Sequence, residues 1–174
     1  MRLVTCNIWS GRGADGLVVD PERLGRVLAR LDADVLALQE VDRDQDRSGG
    51  ADLSAVVAQA CRALRATVAT PFGAVTVVTT HLSFLPVSRT RQLRRLARAL
   101  PREGPLVLLG DLNLGLRAAS RATGLAAEPV GPTFPADSPV RQIDHLLRRG
   151  LPPPSYAAAV HTEVSDHRAV VADW

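Results

Sequence analysis

Asp111 and Asn113 close an apolar run, Leu106-Val107-Leu108-Leu109-Gly110, and the same pattern recurs along the chain. Leu3-Val4-Thr5-Cys6 leads to Asn7, Val35-Leu36-Ala37-Leu38-Gln39 to Glu40, and Val75-Thr76-Val77-Val78-Thr79-Thr80 to His81. Gln142-Ile143 leads to Asp144, and Val164-Ser165 to Asp166 and His167. Short β-rich apolar runs read as buried strands, so their ends can converge on one rim of a sheet core. Such a rim of carboxylates, imidazoles and amides is too polar to serve packing.

The residue types point to phosphoryl chemistry. Glu40, Asp111 and Asp166 offer hard oxygen ligands and Asn7 an amide, a donor set suited to Mg²⁺ or Mn²⁺. The histidines lack the spacings of a zinc finger or metalloprotease. A divalent ion held by one or two carboxylates keeps positions open for phosphate oxygens and stabilises charge as the bond breaks. Asp111 suits orientation and deprotonation of an attacking water. Asn113 can donate to the oxyanion that develops. His167 needs a partner that fixes its tautomer and stabilises its protonated form, a task for Asp144. His81 either protonates the leaving oxygen or holds a phosphate oxygen.

Taken singly, each residue also has a structural reading. Asp-x-Asn after a strand often forms a turn or cap, and Asn7 alone suits a strand-end hydrogen bond. His145 alternates away from Asp144, and His161 lacks a carboxylate-rich context, so both read as structural. The arginine run of 89–98 reads mainly as a solvated helix face. Arg89 and Arg91, just after the His81 loop, are the weak candidates there for substrate contact.

The elements that must position these groups alternate along the chain. Strands are expected at 2–9, 34–40, 74–81, 105–110, 141–147, 156–161 and 168–174. Asp20-Pro21 caps a helix whose Leu24, Val27, Leu28 and Leu31 form one apolar face. A second helix is expected through Leu53, Val56, Val57, Ala60, Cys61 and Leu64. A third runs from Arg89 to Leu100 with Leu93, Leu96, Ala97 and Leu100 inward, and a short one lies near 117–125. Strands mixed with helices imply a layered α/β or α+β domain over residues 1–174.

The 174 residues suffice for one sizeable core, which aliphatic side chains must fill, since 46% are apolar but only 3% aromatic. No segment approaches membrane-spanning length, and no leader pattern opens the chain. Cys6 and Cys61 lie in apolar surroundings without metal-ligand spacing, as buried thiols do in a reducing compartment. A soluble, cytoplasmic monomer is the expectation. The net charge of +3 comes from a chain whose 21 basic residues are all arginine. That compositional bias weakens any step from charge to nucleic acid; the charge is compatible with a phosphate-bearing partner without identifying one.

Together the segments resemble the endonuclease/exonuclease/phosphatase superfamily, the metal-dependent phosphoesterases related to DNase I, AP endonucleases and neutral sphingomyelinases. In family order they are Val4-Thr5-Cys6-Asn7-Ile8, Leu38-Gln39-Glu40-Val41, Thr80-His81-Leu82-Ser83, Leu109-Gly110-Asp111-Leu112-Asn113, Ile143-Asp144-His145 and Ser165-Asp166-His167. The resemblance implies a four-layer α/β/β/α sandwich of two packed mixed sheets with outer helices. It implies hydrolysis by an in-line water with one or two Mg²⁺ ions. It assigns Asn7 and Glu40 to metal binding with Asp166 near the metal, Asp111 to water activation and Asn113 to phosphate contact. It pairs Asp144 with His167 and makes His81 a phosphate-binding or acid group.

Two departures shape the expectation. The interval from Glu40 to His81 is short for this superfamily, so strands should be missing between residues 65 and 74 and one sheet edge left bare. Val41 and Asp42 follow Glu40 where AP endonucleases carry Thr or Leu and then Lys, which favours a generic phosphodiesterase or phosphatase-like member. The functions in view are a Mg²⁺-dependent phosphoesterase, a nuclease of the same superfamily, and a shortened, catalytically impaired domain that only binds ligand or protein. A small molecule, a lipid headgroup and a nucleic acid all remain open as the phosphate ester.

Overall fold

A computed structural model of the chain describes residues 1–43, 45–50, 52–53 and 65–174. The expected helix through Leu53 to Leu64 lies, apart from Leu53, outside the described residues, as does Cys61. Nine strands are described: β1 (Arg2–Asn7), β2 (Val35–Gln39), β3 (Arg65–Thr70), β4 (Gly73–Thr79), β5 (Leu106–Asp111), β6 (Ala126–Ala127), β7 (Asp144–Arg149), β8 (Tyr156–Val160) and β9 (Ala169–Asp173). Three helices accompany them: α1 (Pro21–Ala29), α2 (Pro86–Ala99) and α3 (Leu116–Thr123).

The strands form two mixed sheets, one ordered β2-β1-β9-β8 and the other β3-β4-β5-β7-β6. Strand alternation sorts their side chains into layers. Even-numbered Val4, Cys6 and Leu36 face outward and join Leu24 and Leu28 of α1. Odd-numbered Leu3 and Ala37, with Val170 and Ala172, face the second sheet and meet its Val75, Val77, Val107, Leu109 and Leu146. The other face of the second sheet presents Leu106, Leu108 and Leu147 to Leu93 and Leu96 of α2 and Ala119 of α3. These three apolar layers separate helix, sheet, sheet and helices. The four-layer α+β sandwich implied by the family resemblance is therefore the architecture.

α1 starts where the Asp-Pro signal puts it. The Asp20 carboxylate accepts the Arg23 backbone N–H at 3.0 Å, and Pro21 occupies the first turn. α2 begins earlier than its leucine spacing indicates, at Pro86, whose missing N–H costs nothing in a first turn.

The expected gap between residues 65 and 74 is corrected by β3. It forms a tight hairpin with β4, from Arg65 opposite Val78 to Thr70 opposite Gly73. The Thr70 hydroxyl closes the Pro71-Phe72 turn by accepting from Phe72 N (3.0 Å) and donating to Gly73 O (2.8 Å). The strand is hard to see in sequence because Arg-Ala-Thr-Val-Ala-Thr alternates with little contrast. Val68 packs against the inter-sheet core.

Strand direction brings the polar residues together. β1 and β2 are parallel, and Asn7 pairs with Gln39, so Asn7 and Glu40 emerge side by side. β9 runs antiparallel to β1, which brings the preceding Asp166 and His167 to the same end. In the second sheet β4 and β5 are parallel, with Thr79 beside Leu109, so His81 and Asp111 leave together. β7 is antiparallel to β5 and places Asp144 directly opposite Asp111.

Candidate active site

The cluster occupies the inner faces of both sheets, where the apolar layer between them ends. Parity decides this. Asn7 continues the inward row Leu3-Thr5, Asp111 the row Val107-Leu109, and Asp144 the row that continues with Leu146. A polar bridge separates the apolar layer from the site. Gln39, buried, donates from Nε2 to Thr5 Oγ1 (3.0 Å) and Thr79 Oγ1 (3.2 Å), joining the sheets.

Asp111 is the centre, only 1% exposed. Its Oδ2 lies 3.4 Å from Asn7 Nδ2, 3.4 Å from His81 Nε2 and 3.9 Å from His167 Nε2. Its other oxygen accepts the Asn113 backbone N–H at 2.8 Å. Asn7 Nδ2 also donates to Glu40 Oε1 at 3.1 Å, while its Oδ1 accepts from Trp9 N at 3.0 Å. The amide is thereby oriented with its N–H₂ toward the two acids. His81 Nδ1 lies 3.9 Å from Glu40.

His167 and Asp144 form the expected pair, Nδ1 to Oδ2 at 2.9 Å, both buried. The Phe134 ring packs on the imidazole with centroids 4.8 Å apart. His167 Nε2 is left facing Asp111 and, at 3.9 Å, Asp166.

Two site residues have strained backbones. Glu40 (φ 55°) and Asn113 (φ 54°) adopt the left-handed region that non-glycine residues seldom enter. At Glu40 this turn ends β2 and aims the carboxylate back over the rim. At Asn113 it lets the side chain return to donate to Leu82 O at 2.9 Å, with Nδ2 3.5 Å from His81 Nε2.

The two arginine candidates are not part of this cluster. Arg89 donates to Asn113 O at 2.7 Å and Phe84 O at 3.3 Å, so its guanidinium ties two loops behind the site. Arg91 lies exposed on α2. His145 is buried with Nε2 2.7 Å from Leu114 O, and burial lowers its pKa. His161 stands in more acidic surroundings than its sequence neighbours indicate. Its Nε2 is 3.2 Å from Asp137, in a cavity that Asp15, Asp20 and Glu163 also line.

Sequence reasoning gave no role to the residues that hold the cluster in place. Ser165 Oγ donates to Asn7 O at 2.5 Å and accepts from His167 N at 3.0 Å, coupling the two segments. Thr133 Oγ1 accepts from Ile143 N (3.1 Å) and Asp144 N (3.2 Å), fixing the start of β7. Ser165 sits inside a recognisable motif, whereas Thr133 has no local signal at all.

The electrostatics are those of uncompensated negative charge. Burial and the neighbouring Asp144 push the Asp111 carboxyl up to about 6, against the opposing pull of His167 and His81. Burial likewise raises Asp166. Burial opposes protonation of His167, but Asp144, Asp111 and Asp166 together outweigh it and raise its pKa. Among the described residues, Asp144 Oδ1 and Asp166 Oδ1 are buried without a hydrogen-bond partner. A divalent cation answers both features, so the donor set fits one. The most compact group by ligand-atom distance is Asp111, Asp144 and His167, all within 4.8 Å. The hydrogen bond between Asp144 and His167 Nδ1 already engages two of those three. The oxygen-only donors, Glu40 and Asp166, therefore suit a hard ion better.

A carboxyl raised in the folded state binds its proton more tightly there than in the unfolded chain. The folded state thus loses stability as pH rises through the interval from 3.8 to about 6. In EDTA at neutral pH, Asp111→Asn should stabilise the protein by on the order of 2 kcal/mol. Thermal melting checks this; a lowered Tm would show that Asp111 is not held against its charge.

The sequence matches the Endonuclease/Exonuclease/phosphatase family over residues 4–167, and the chain belongs to that family. The family's name joins nucleases and phosphatases, both hydrolases of phosphoester bonds. No curated protein is matched by a search with this sequence. Solved structures share its fold. An endonuclease/exonuclease/phosphatase from Beutenbergia cavernae DSM 12333 is 21% identical, with a TM-score of 0.70 covering 99% of this chain and 70% of that one. Humanized D. rerio TDP2 is 16% identical, with a TM-score of 0.64 covering 99% and 97%. Sphingomyelinase C from Streptomyces griseocarneus is 16% identical, with a TM-score of 0.63 covering 99% and 98%. No helix among the described residues is long and apolar enough to cross a membrane.

Proposed function

We propose that the chain hydrolyses a phosphodiester or phosphomonoester by in-line attack of water, assisted by Mg²⁺ or Mn²⁺. The observation that carries this reading is the convergence of Asn7, His81 and His167 on one oxygen of Asp111, beside the buried His167–Asp144 pair. Glu40 and Asp166 would supply carboxylate oxygens to the ion, with Asn7 as the amide of the set. When bound, the ion polarises the phosphorus centre and offsets the charge that develops on its oxygens.

The chain's own residues do the rest. Asp111, once ionised, accepts the proton of the attacking water. His167, kept protonated by Asp144, presents Nε2–H to the negative phosphate oxygen. Asn113 Nδ2 and His81 Nε2 stand together, 3.5 Å apart, suited to hold a phosphate oxygen or, for His81, to protonate the leaving group. Assembly of every motif residue in one place favours a working site over an impaired remnant. The buried, free Cys6, whose thiol burial pushes up, suits a reducing, cytoplasmic setting.

The pH dependence follows from the two shifted groups. Activity should fall on the acid side as Asp111, whose carboxyl burial and Asp144 push upward, takes up its proton. It should fall again on the alkaline side above the ordinary histidine value of 6.5, as His167 loses its proton. A profile flat from acid to alkali would contradict these roles.

Hydrolysis of an activated bis-aryl phosphate tests the proposal. Glu40→Gln and Asp111→Asn should each lower the rate on the order of 10²-fold or more. Activity unchanged in both would sink the assignment. Plasmid nicking, compared with release of phosphate from small esters, decides between the nuclease and the small-ester reading.

A further inference from the structure

Phe84, Leu85 and Val87 are 73%, 54% and 69% exposed. Three large apolar side chains bared within four residues form a patch rather than the scattered exposure ordinary on a surface. The segment follows the site loop His81–Ser83 directly and leads into α2. On α2, Leu93 and Leu96 turn inward onto the outer core layer. Val87, Arg91, Arg94 and Arg98 fall at i, i+4, i+7 and i+11, one stripe on the opposite side, with Arg95 beside it. All five are exposed. From Ser83 to Arg102 the sequence carries six arginines and no acid. Arg91, Arg94, Arg95 and Arg98 have no ion-pair partner among the described residues. Exposed Arg117 and Arg121 of the adjoining α3 extend the same positive surface.

We propose that this face, an apolar prow at residues 84–87 backed by the α2 arginine stripe, docks the chain on an anionic phospholipid bilayer. An amphipathic surface of this kind lies in the membrane interface, its apolar residues among the acyl chains and its cations among the headgroups. Charge alone would suit any polyanion. The prow separates them, because Leu85, Pro86 and Val87 have no π-face for bases to stack on and only Phe84 does. Arg89 stands apart from the docking set, since its guanidinium holds Asn113 and Phe84 in place. The docking holds whatever ester the site cleaves.

Vesicle flotation tests the proposal, with phosphatidylcholine vesicles against the same vesicles containing phosphatidylglycerol. The wild-type chain should float with the anionic vesicles, and salt should weaken it. The Arg94→Gln, Arg95→Gln and Arg98→Gln triple variant should bind on the order of 100-fold more weakly. Phe84→Ser with Leu85→Ser should bind on the order of tenfold more weakly, with wild-type melting confirming an intact fold. No flotation of wild type at low salt would overturn the proposal. So would flotation indifferent to both variants, or binding of a single-stranded oligonucleotide that depends on these residues while vesicles are ignored.

Discussion

Asp144→Asn should lower kcat by on the order of 10³-fold or more while leaving the protein folded. Asp144 is fully buried, and its Oδ2 receives His167 Nδ1 at 2.9 Å. Both Ile143 N and Asp144 N are held by Thr133, so an amide of the same shape stays in place. What changes is charge. Without the carboxylate, His167 loses the strongest influence that raises its pKa and keeps only Asp111 and Asp166 against burial, so its pKa falls and the imidazole holds its proton less firmly. The amide also accepts either tautomer, so Nε2 no longer reliably points a proton at substrate. The variant should therefore retain cation binding and secondary structure but lose turnover. Circular dichroism with steady-state kinetics checks this, and full activity in a folded Asp144→Asn protein would remove the pair from the mechanism.

Gly110→Ala should cost more than about 4 kcal/mol of stability, enough to unfold many domains. A Cβ at Gly110 would lie 1.9 Å from the Thr80 carbonyl oxygen and 3.0 Å from its carbon. The obstacle is backbone just past the end of β4, where Thr80 N donates to Leu109 O at 3.1 Å. The φ of +131° adds strain for any L side chain. Relief requires parting β4 from β5 at the place where His81 and Asp111 emerge, so surviving protein should also lose activity. Gly115→Ala is the control: nothing lies within 4 Å of its Cβ, and it should cost about 1 kcal/mol or less. Denaturant unfolding reads both. Equal midpoints for Gly110→Ala and wild type would show that the strands tolerate separation there.

The site was legible because its residues are sequence-local signals at strand ends. Apolar runs of strand length place Asn7, Glu40, His81, Asp111, Asp144 and the Asp166-His167 pair where they are found, and alternation correctly turns Cys6 and His145 away from the cluster. What the runs do not contain is strand direction. The convergence depends on β1 with β2 and β4 with β5 being parallel, and on β9 and β7 running back against them. The family resemblance supplied that part, and the fold agrees with it. β3 escaped notice because alanine and threonine give little contrast between its faces. Thr133 escaped because its role is tertiary: a hydroxyl that accepts two backbone N–H groups from a strand ten residues away has no pattern of its own. The acidic surroundings of His161 escaped for the same reason, since Asp137 reaches it across the fold.

The central claim is that the acids gathered around Asp111 work with a divalent cation on a phosphoester. The most direct measurement is the rate of bis-aryl phosphate hydrolysis by the wild-type chain in EDTA and after Mg²⁺ or Mn²⁺ is restored. The account predicts no turnover in EDTA and full recovery with the metal, with Glu40→Gln failing to recover at the same concentration. Turnover that persists undiminished in EDTA would contradict it.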